Sequence, residues 1–355
     1  MTTEQPDPYI TKLEAAEREL RSLQGDVALS SVHDTLSEID SQLRDLPGSI
    51  ERLRARGYVF ERYLEKKAEV LAQQWADMRW RVTAAVDENS RHLRVQADSV
   101  QLRLYPLRAG RDENELAAVA AAVDDLETRA RTAKDTIYNM YGPLRDNINQ
   151  TLSQLKDANW ALDQVDGAAF KLYPGEGLVA AVKAQWLTGD TGQAGSKEGP
   201  KGIFYLTEDR VLFEQKEEIA TKKMLFITTA KEKVQELKWQ AAIGQIVEAK
   251  ASEAGGAFLG IGKKELLGIA FDNRVPVRNV TLKLEADSEA WQGHIGRVKS
   301  GDIAGERTGP RDRAAAAAVK AAPTKCSTCG ATITQAVVRG MTEIKCEYCG
   351  AVTRL

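Results

Sequence analysis

Gly202-Ile203-Phe204-Tyr205-Leu206-Thr207-Glu208-Asp209-Arg210-Val211-Leu212-Phe213 is the stretch on which the fold turns. Two runs rich in β-branched and aromatic residues flank a short polar turn, which is the pattern of an antiparallel hairpin. Similar runs lie on both sides of it. Strands are predicted near 178–187, 202–207, 210–215, 224–229, 234–239, 246–251, 266–271 and 277–284. The interval 188–201 is rich in Gly and polar residues and reads as a loop. Beyond the last strand, Asp287 is placed to cap a short helix on which Trp291, Ile295 and Val298 share a face. Such a face suits the open end of a small antiparallel barrel.

This order of pieces resembles the pleckstrin-homology superfold, and within it the GRAM-like bacterial members. The resemblance is carried by the 202–213 hairpin, by Ile243-Gly244-Gln245-Ile246 ahead of a Gly-rich bend, by two late strands, and by a final helix bearing Trp291. It implies a recognition module for acidic lipid headgroups, peptides or other proteins. Lys216, Lys222, Lys223, Lys231 and Lys233 surround one predicted hairpin and are placed to meet phosphates. Glu214, Glu217, Glu218 and Glu232 interleave with them, so a mixed solvated face is the competing reading. At the tip 255–264, four glycines accompany Phe258, Leu259 and Ile261 beside Lys263 and Lys264. These five residues are candidates for contact with a membrane surface or a partner. The alternative is a hairpin whose apolar side chains tuck into the barrel. A phosphate loop is excluded, because Ala257 and Lys264 stand where that motif requires Gly and a hydroxyl.

Upstream, the first 165 residues contain little Gly or Pro and repeat apolar residues at steps of three and four. Leu13, Ala16, Leu20, Leu23 and Val27, then Val32, Leu36, Ile39 and Leu43, form helical stripes. Asp45-Leu46-Pro47-Gly48-Ser49 reads as a break, with Ser49 capping a second helix over 50–105. Pro106 and Gly110 close that helix, and Asp112 opens a third. Its seam runs Leu116, Val119, Val123, Leu126, Ala130, Ala133, Ile137, Met140, Leu144, a heptad pattern with a kink expected at Gly142-Pro143. Helices this long, at about 1.5 Å of rise per residue, should fold back as an antiparallel bundle or coiled coil. Packing explains the seams. A free face for self-association, with Trp75, Trp80 or Trp160 as anchors, is the functional alternative.

Downstream, 300–324 holds three glycines, two prolines and five consecutive alanines, and reads as a flexible linker. All four cysteines follow it, as Cys326-Ser327-Thr328-Cys329-Gly330 and Cys346-Glu347-Tyr348-Cys349-Gly350. Two C-x2-C pairs let each pair chelate from one tight turn, and four thiolates complete a tetrahedral shell around Zn2+. The segment resembles a zinc ribbon. Two disulfides are one alternative, against which the lack of any other cysteine argues, and a redox pair is another, but two pairs at ribbon spacing are better explained by one shared ion. With sulfur at all four positions the metal is structural.

The expected domains are therefore a helical bundle at 7–166, a GRAM or pleckstrin-homology-like β domain at 170–299, a linker at 300–324 and a ribbon at 325–355, making a multidomain α+β chain. The 355 residues carry 49 Lys and Arg against 51 Asp and Glu, which argues against a nucleic-acid coat or polybasic membrane binder. Met1-Thr2-Thr3-Glu4-Gln5-Pro6 does not begin a signal peptide, so a cytoplasmic location is expected, with the inner membrane face as a peripheral site. His33, His92 and His294 adjoin no nucleophile motif. The expectation is a non-enzymatic scaffold with a protein partner. The alternative is a nucleic-acid-associated ribbon protein, in which Lys325, Arg339, Lys345 and Arg354 would meet phosphates.

Overall fold

The computed structural model describes residues 7–188, 197–224, 227–254, 264–311, 328–330, 343–346 and 349–354. Two compact units divide the chain, Met1–Ile50 with Leu64–Gln154, and Glu51–Tyr63 with Leu155–Leu355.

The first unit is helical. It draws on α1 (Pro8–Ser22), α2 (Gln24–Val27), α3 (Ser30–Ala55), α4 (Leu64–Leu104), α5 (Leu107–Gly110) and α6 (Glu113–Asp166). Asp7 caps α1 by accepting the Tyr9 N–H, and a proline occupies the first turn where no donor is needed. Asp112 caps α6 by accepting the Glu115 N–H at 3.0 Å, as the sequence led us to expect. Helices α4 and α6 run antiparallel: Arg103 pairs with Glu115 near the α5 connection, and Lys67 reaches Gln154 far from it. Trp75 is buried and donates its indole N–H to Asp40 at 2.7 Å, so it is a core residue.

Two expectations for this region fail. The break at 45–49 does not exist: α3 runs through Pro47 to Ala55, and the Ser49 hydroxyl donates to the Asp45 carbonyl instead of capping anything. Leu43, Leu46, Ile50 and Leu53 keep one buried stripe through the proline, and that packing outweighs one missing backbone bond. The true stop is Gly57, at φ 94, where the Tyr58 N–H reaches the Leu53 carbonyl in a Schellman-type closure. The α6 seam also changes register. Met140 is exposed and Tyr141 is buried, because a four-residue step from Ile137 replaces the expected three. The helix then continues through Pro143, with Leu144, Ile148 and Leu155 buried.

The second unit is built on seven antiparallel strands: β1 (Leu178–Thr188), β2 (Lys197–Thr207), β3 (Arg210–Met224), β4 (Ile227–Ala242), β5 (Ile246–Ala254), β6 (Lys264–Phe271) and β7 (Asn279–Leu284). Their order is β4-β3-β2-β1-β7-β6-β5, and α7 (Ser288–Ser300) follows. This is the pleckstrin-homology-like arrangement anticipated above. Phe204, Phe213, Trp239 and Phe271 form the aromatic core, and Trp291 of α7 packs 5.2 Å from the Phe204 ring. Asp287 caps α7 through the Glu289 and Ala290 N–H groups, and Trp291, Ile295 and Val298 are all buried.

Eight strands were expected for the β domain, and among the described residues its sheet has seven. The run expected at 224–229 straddles the end of β3, at Met224, and the start of β4, at Ile227, and the run at 234–239 lies in the same β4, paired with β3 along a ladder from Arg210↔Ala242 to Met224↔Ile227. The facing segments between the expected runs, Lys216-Glu217-Glu218 and Lys231-Glu232-Lys233, are charged and carry no apolar period. Their ladder instead sets opposite charges face to face, as at Glu218↔Lys233. Residues 302–306, inside the expected linker, form a 3-10 turn. This turn and the residues after it are tied to the connection between α3 and α4 by Arg62 N–H to the Glu306 carbonyl and Thr308 N–H to the Val59 carbonyl.

Candidate functional site

The C-terminal cysteines sit around a two-stranded ladder, β8 (Glu343–Lys345) and β9 (Val352–Arg354), paired Glu343↔Arg354, Ile344↔Thr353 and Lys345↔Val352. Cys346 leaves β8 and Cys349 precedes β9, so this pair occupies the connecting turn. The Cys346 N–H donates to the Ala351 carbonyl, and the Gly350 N–H to the Cys346 carbonyl at 2.9 Å. Gly350 has φ 72, and Gly330, after Cys329, has the same value. Both C-x2-C-G segments thus turn through a left-handed residue that a side chain would oppose.

Cys329, Cys346 and Cys349 are free thiols whose Sγ atoms lie within 4.8 Å of one another. Cys329 and Cys346 approach to 3.7 Å. Cys346 is buried while the other two are exposed, and Ile344 on β8 is 1% exposed. Three thiols converging from two turns can bind a metal ion. Cys326 lies outside the described residues.

The other predicted contacts are placed as follows. Phe258, Leu259, Ile261 and Lys263 lie outside the described residues, and Lys264 is exposed at the start of β6. Trp80 is 69% exposed on α4, Val95 and Leu102 of the same helix are also exposed, and so is Tyr105 just past its end. Trp160 is half-buried. Of the residues assigned to phosphate contact in the nucleic-acid reading, Lys345 is exposed on β8, while Lys325 and Arg339 lie outside the described residues.

One cluster escaped sequence reasoning. Arg210, the first residue of β3 after the turn of the 202–213 hairpin, holds Glu176 through Nε and Nη2, each at 2.9 Å. Its other Nη2 bond goes to the Lys171 carbonyl, and its guanidinium stacks 3.7 Å from the Tyr173 ring centroid. Thr207 donates to Glu176 at 2.6 Å and accepts the Arg210 N–H. Both charged side chains are almost wholly buried. Every group here is satisfied by the fold, so the cluster fastens residues 168–176 onto the sheet and offers no reactive atom. Alongside it, Glu214 accepts from Tyr205 at 2.7 Å and from the Ala169 N–H. Burial, and then that carboxylate, push the Tyr205 phenol well above its ordinary range.

No family model matches the chain. No curated protein matches it either. Among solved structures, the DH/PH domains of a p115-RhoGEF point mutant align at 12% identity and TM-score 0.21, over 82% of this chain and 98% of that one. An N-terminally truncated linker-DH/PH form of p115-RhoGEF aligns at 11% identity and TM-score 0.23, over 82% and 95%. Likeness of this degree says nothing of activity.

Proposed function

We propose that the protein is a non-enzymatic adaptor, in which a pleckstrin-homology-like domain docks on a protein or anionic membrane surface and a zinc-stabilised ribbon contacts a second macromolecule. The observation that carries the reading is the convergence of Cys329, Cys346 and Cys349 at the ends of a short ladder. A tetrahedral ion with metal–sulfur bonds of about 2.3 Å sets sulfurs about 3.8 Å apart. The 3.7 Å between Cys329 and Cys346 fits that edge. Cys326, in the first C-x2-C pair, is the fourth ligand in this reading. An all-sulfur shell leaves no position for water, so zinc here would order the segment and carry out no reaction. A ribbon of this size buries little apolar surface of its own, and its use is to present a small, rigid face.

The helical unit supports the same reading by offering length and an exposed α4 face for self-association. The test compares capture of partners by the full chain and by a chain ending before residue 320. Loss of a specific partner on truncation supports the ribbon's role. An identical partner set from both chains, or turnover of a metabolite abolished by one polar substitution, overturns it.

A further inference from the structure

Helix α4 buries one side in its bundle and carries an apolar stripe on the other. At about 100° per residue, Val70, Trp80, Val95 and Leu102 fall within a sector of about 80°. That sector lies opposite the buried Trp75, Val82, Val86 and Leu93, and Tyr105 continues it just past the helix end. All five stripe residues are exposed. A single exposed apolar residue is ordinary, but a line of them along about 50 Å of helix marks an interaction surface.

The occupant is read from symmetry, charge and area. About the middle of the stripe, between Asp87 and Glu88, Trp80 mirrors Val95 and Val70 mirrors Tyr105. An antiparallel second copy therefore sets apolar residue against apolar residue. The same pairing brings Glu88 within one turn of the partner's Arg91, and Arg91 within one turn of the partner's Glu88. Among the described residues, Glu88, Arg91 and Arg94 make no hydrogen bond or ion pair within their own chain. Asp77 mirrors Asp98, a like-charge pair, but Arg81 and Arg94 stand one turn from these carboxylates and answer them. A face about 50 Å long and about 11 Å wide gives about 550 Å² per copy and about 1,100 Å² in all, above the ~1,000 Å² that a specific interface needs.

The flank of the stripe supplies a socket. Trp80 stands on the same side of α4 as Arg94, Asp98 and Tyr105, and these three rim a cavity of about 750 Å³ between α4 and the α1–α2 pair. Buried Val27 and Leu104 line it, with half-buried Leu20. Its rim carries both signs: Arg108 holds Glu17, and Arg94 is one turn from Asp98, so little net charge is left to hold an ionic ligand. A twofold axis across two antiparallel helices sets each flank against the same flank of its partner. The partner's Trp80, opposite Val95, then meets this rim, where Arg94 can stack on the indole.

We propose that α4 pairs antiparallel with α4 of a second copy, each Trp80 seated in the other's cavity between α4 and α1–α2. This rests on the self-association given to the helical unit above, naming its partner and register, and needs neither the ribbon nor its metal.

The test uses the full chain. Sedimentation equilibrium at micromolar concentration should give twice the 39.0 kDa of one chain. Trp80→Glu combined with Val95→Glu should raise the dimer dissociation constant on the order of hundredfold. Its far-UV signal should not change, because both side chains are exposed. Met140→Glu, an exposed apolar residue of α6, should leave the dimer intact. Gln73→Lys reads the direction of pairing. Residues 73 and 98 are about 37 Å apart along one helix, so a zero-length amide cross-link between the new ammonium and Asp98 forms only across an antiparallel pair. Chelation should leave the dimer unchanged, which keeps this result apart from capture by the ribbon. A monomer throughout, a dimer indifferent to Trp80 and Val95, a dimer without that cross-link, or one lost on chelation overturns the inference.

Discussion

Arg210 grips both carboxylate oxygens of Glu176 with two bonds of equal length, 2.9 Å, and the two side chains are 6% and 0% exposed. A buried charge left alone costs far more than the pair gains over apolar replacements. Arg210→Met should therefore destabilise the β domain by about 3–5 kcal/mol. Adding Glu176→Leu should recover most of that loss. Arg210→Lys should not, because an ammonium can neither fork onto the carboxylate nor stack on Tyr173. Urea unfolding of the four proteins measures this, and additive losses in the double variant would contradict it.

Gly202 needs no unusual φ, yet its place is fixed by crowding. A Cβ there would stand 1.8 Å from the Glu214 carbonyl oxygen, on the strand next door. Gly202→Ala should cost about 1–3 kcal/mol or more through overpacking against backbone that cannot yield. Gly244→Ala, where nothing lies within 4 Å, should be nearly neutral. Thermal midpoints of the two variants give the comparison. Equal shifts would mean that β2 and β3 sit farther apart than described.

The sequence announces what repeats and hides what depends on a partner strand. The three-and-four stripe of α6 was legible because each residue from Leu116 to Ile137 is buried on one face. The step onto Tyr141 was not, since Met140 and Tyr141 are both apolar enough to continue the seam and only tertiary packing chooses between them. Pro47 misled for the converse reason, a local rule overruled by the buried stripe around it. The charged facing segments of β3 and β4 had no apolar period, so two strands read as three. Cys329, Cys346 and Cys349 needed only spacing, which the turns at Gly330 and Gly350 then explain.

If the thiols hold zinc, the purified chain should contain about one equivalent of metal, removable by a strong chelator. Removal should leave the far-UV signal of the helices and the β domain intact, and should expose the amides of β8 and β9 to rapid hydrogen exchange. Cys346→Ser should do the same, because Cys346 is the buried member of the cluster and its N–H also closes the turn. Absence of metal in protein prepared with zinc throughout, together with unaltered β8–β9 protection after chelation, would refute the assignment.

His294 lies on α7 one turn from Trp291, its ring 6.2 Å from the indole, beside Arg297 and Glu306. Burial first, and then the positive charge of Arg297, hold its pKa below the ordinary value, with Glu306 opposing them. The folded chain thus takes up this proton less readily than the unfolded chain, whose histidine titrates near about 6.5. Where the unfolded state binds more protons, stability rises with pH. The contribution of His294 is accordingly complete above the unfolded value, diminishes as pH falls below it, and levels off beneath the folded value. His294→Gln removes the titration while keeping a polar side chain of similar reach. Between pH 8 and pH 5 the thermal midpoint of the native chain should drop further than that of the variant, the carboxylates being common to both. Parallel midpoint curves would show that the α7 face is open enough for the imidazolium to stay hydrated.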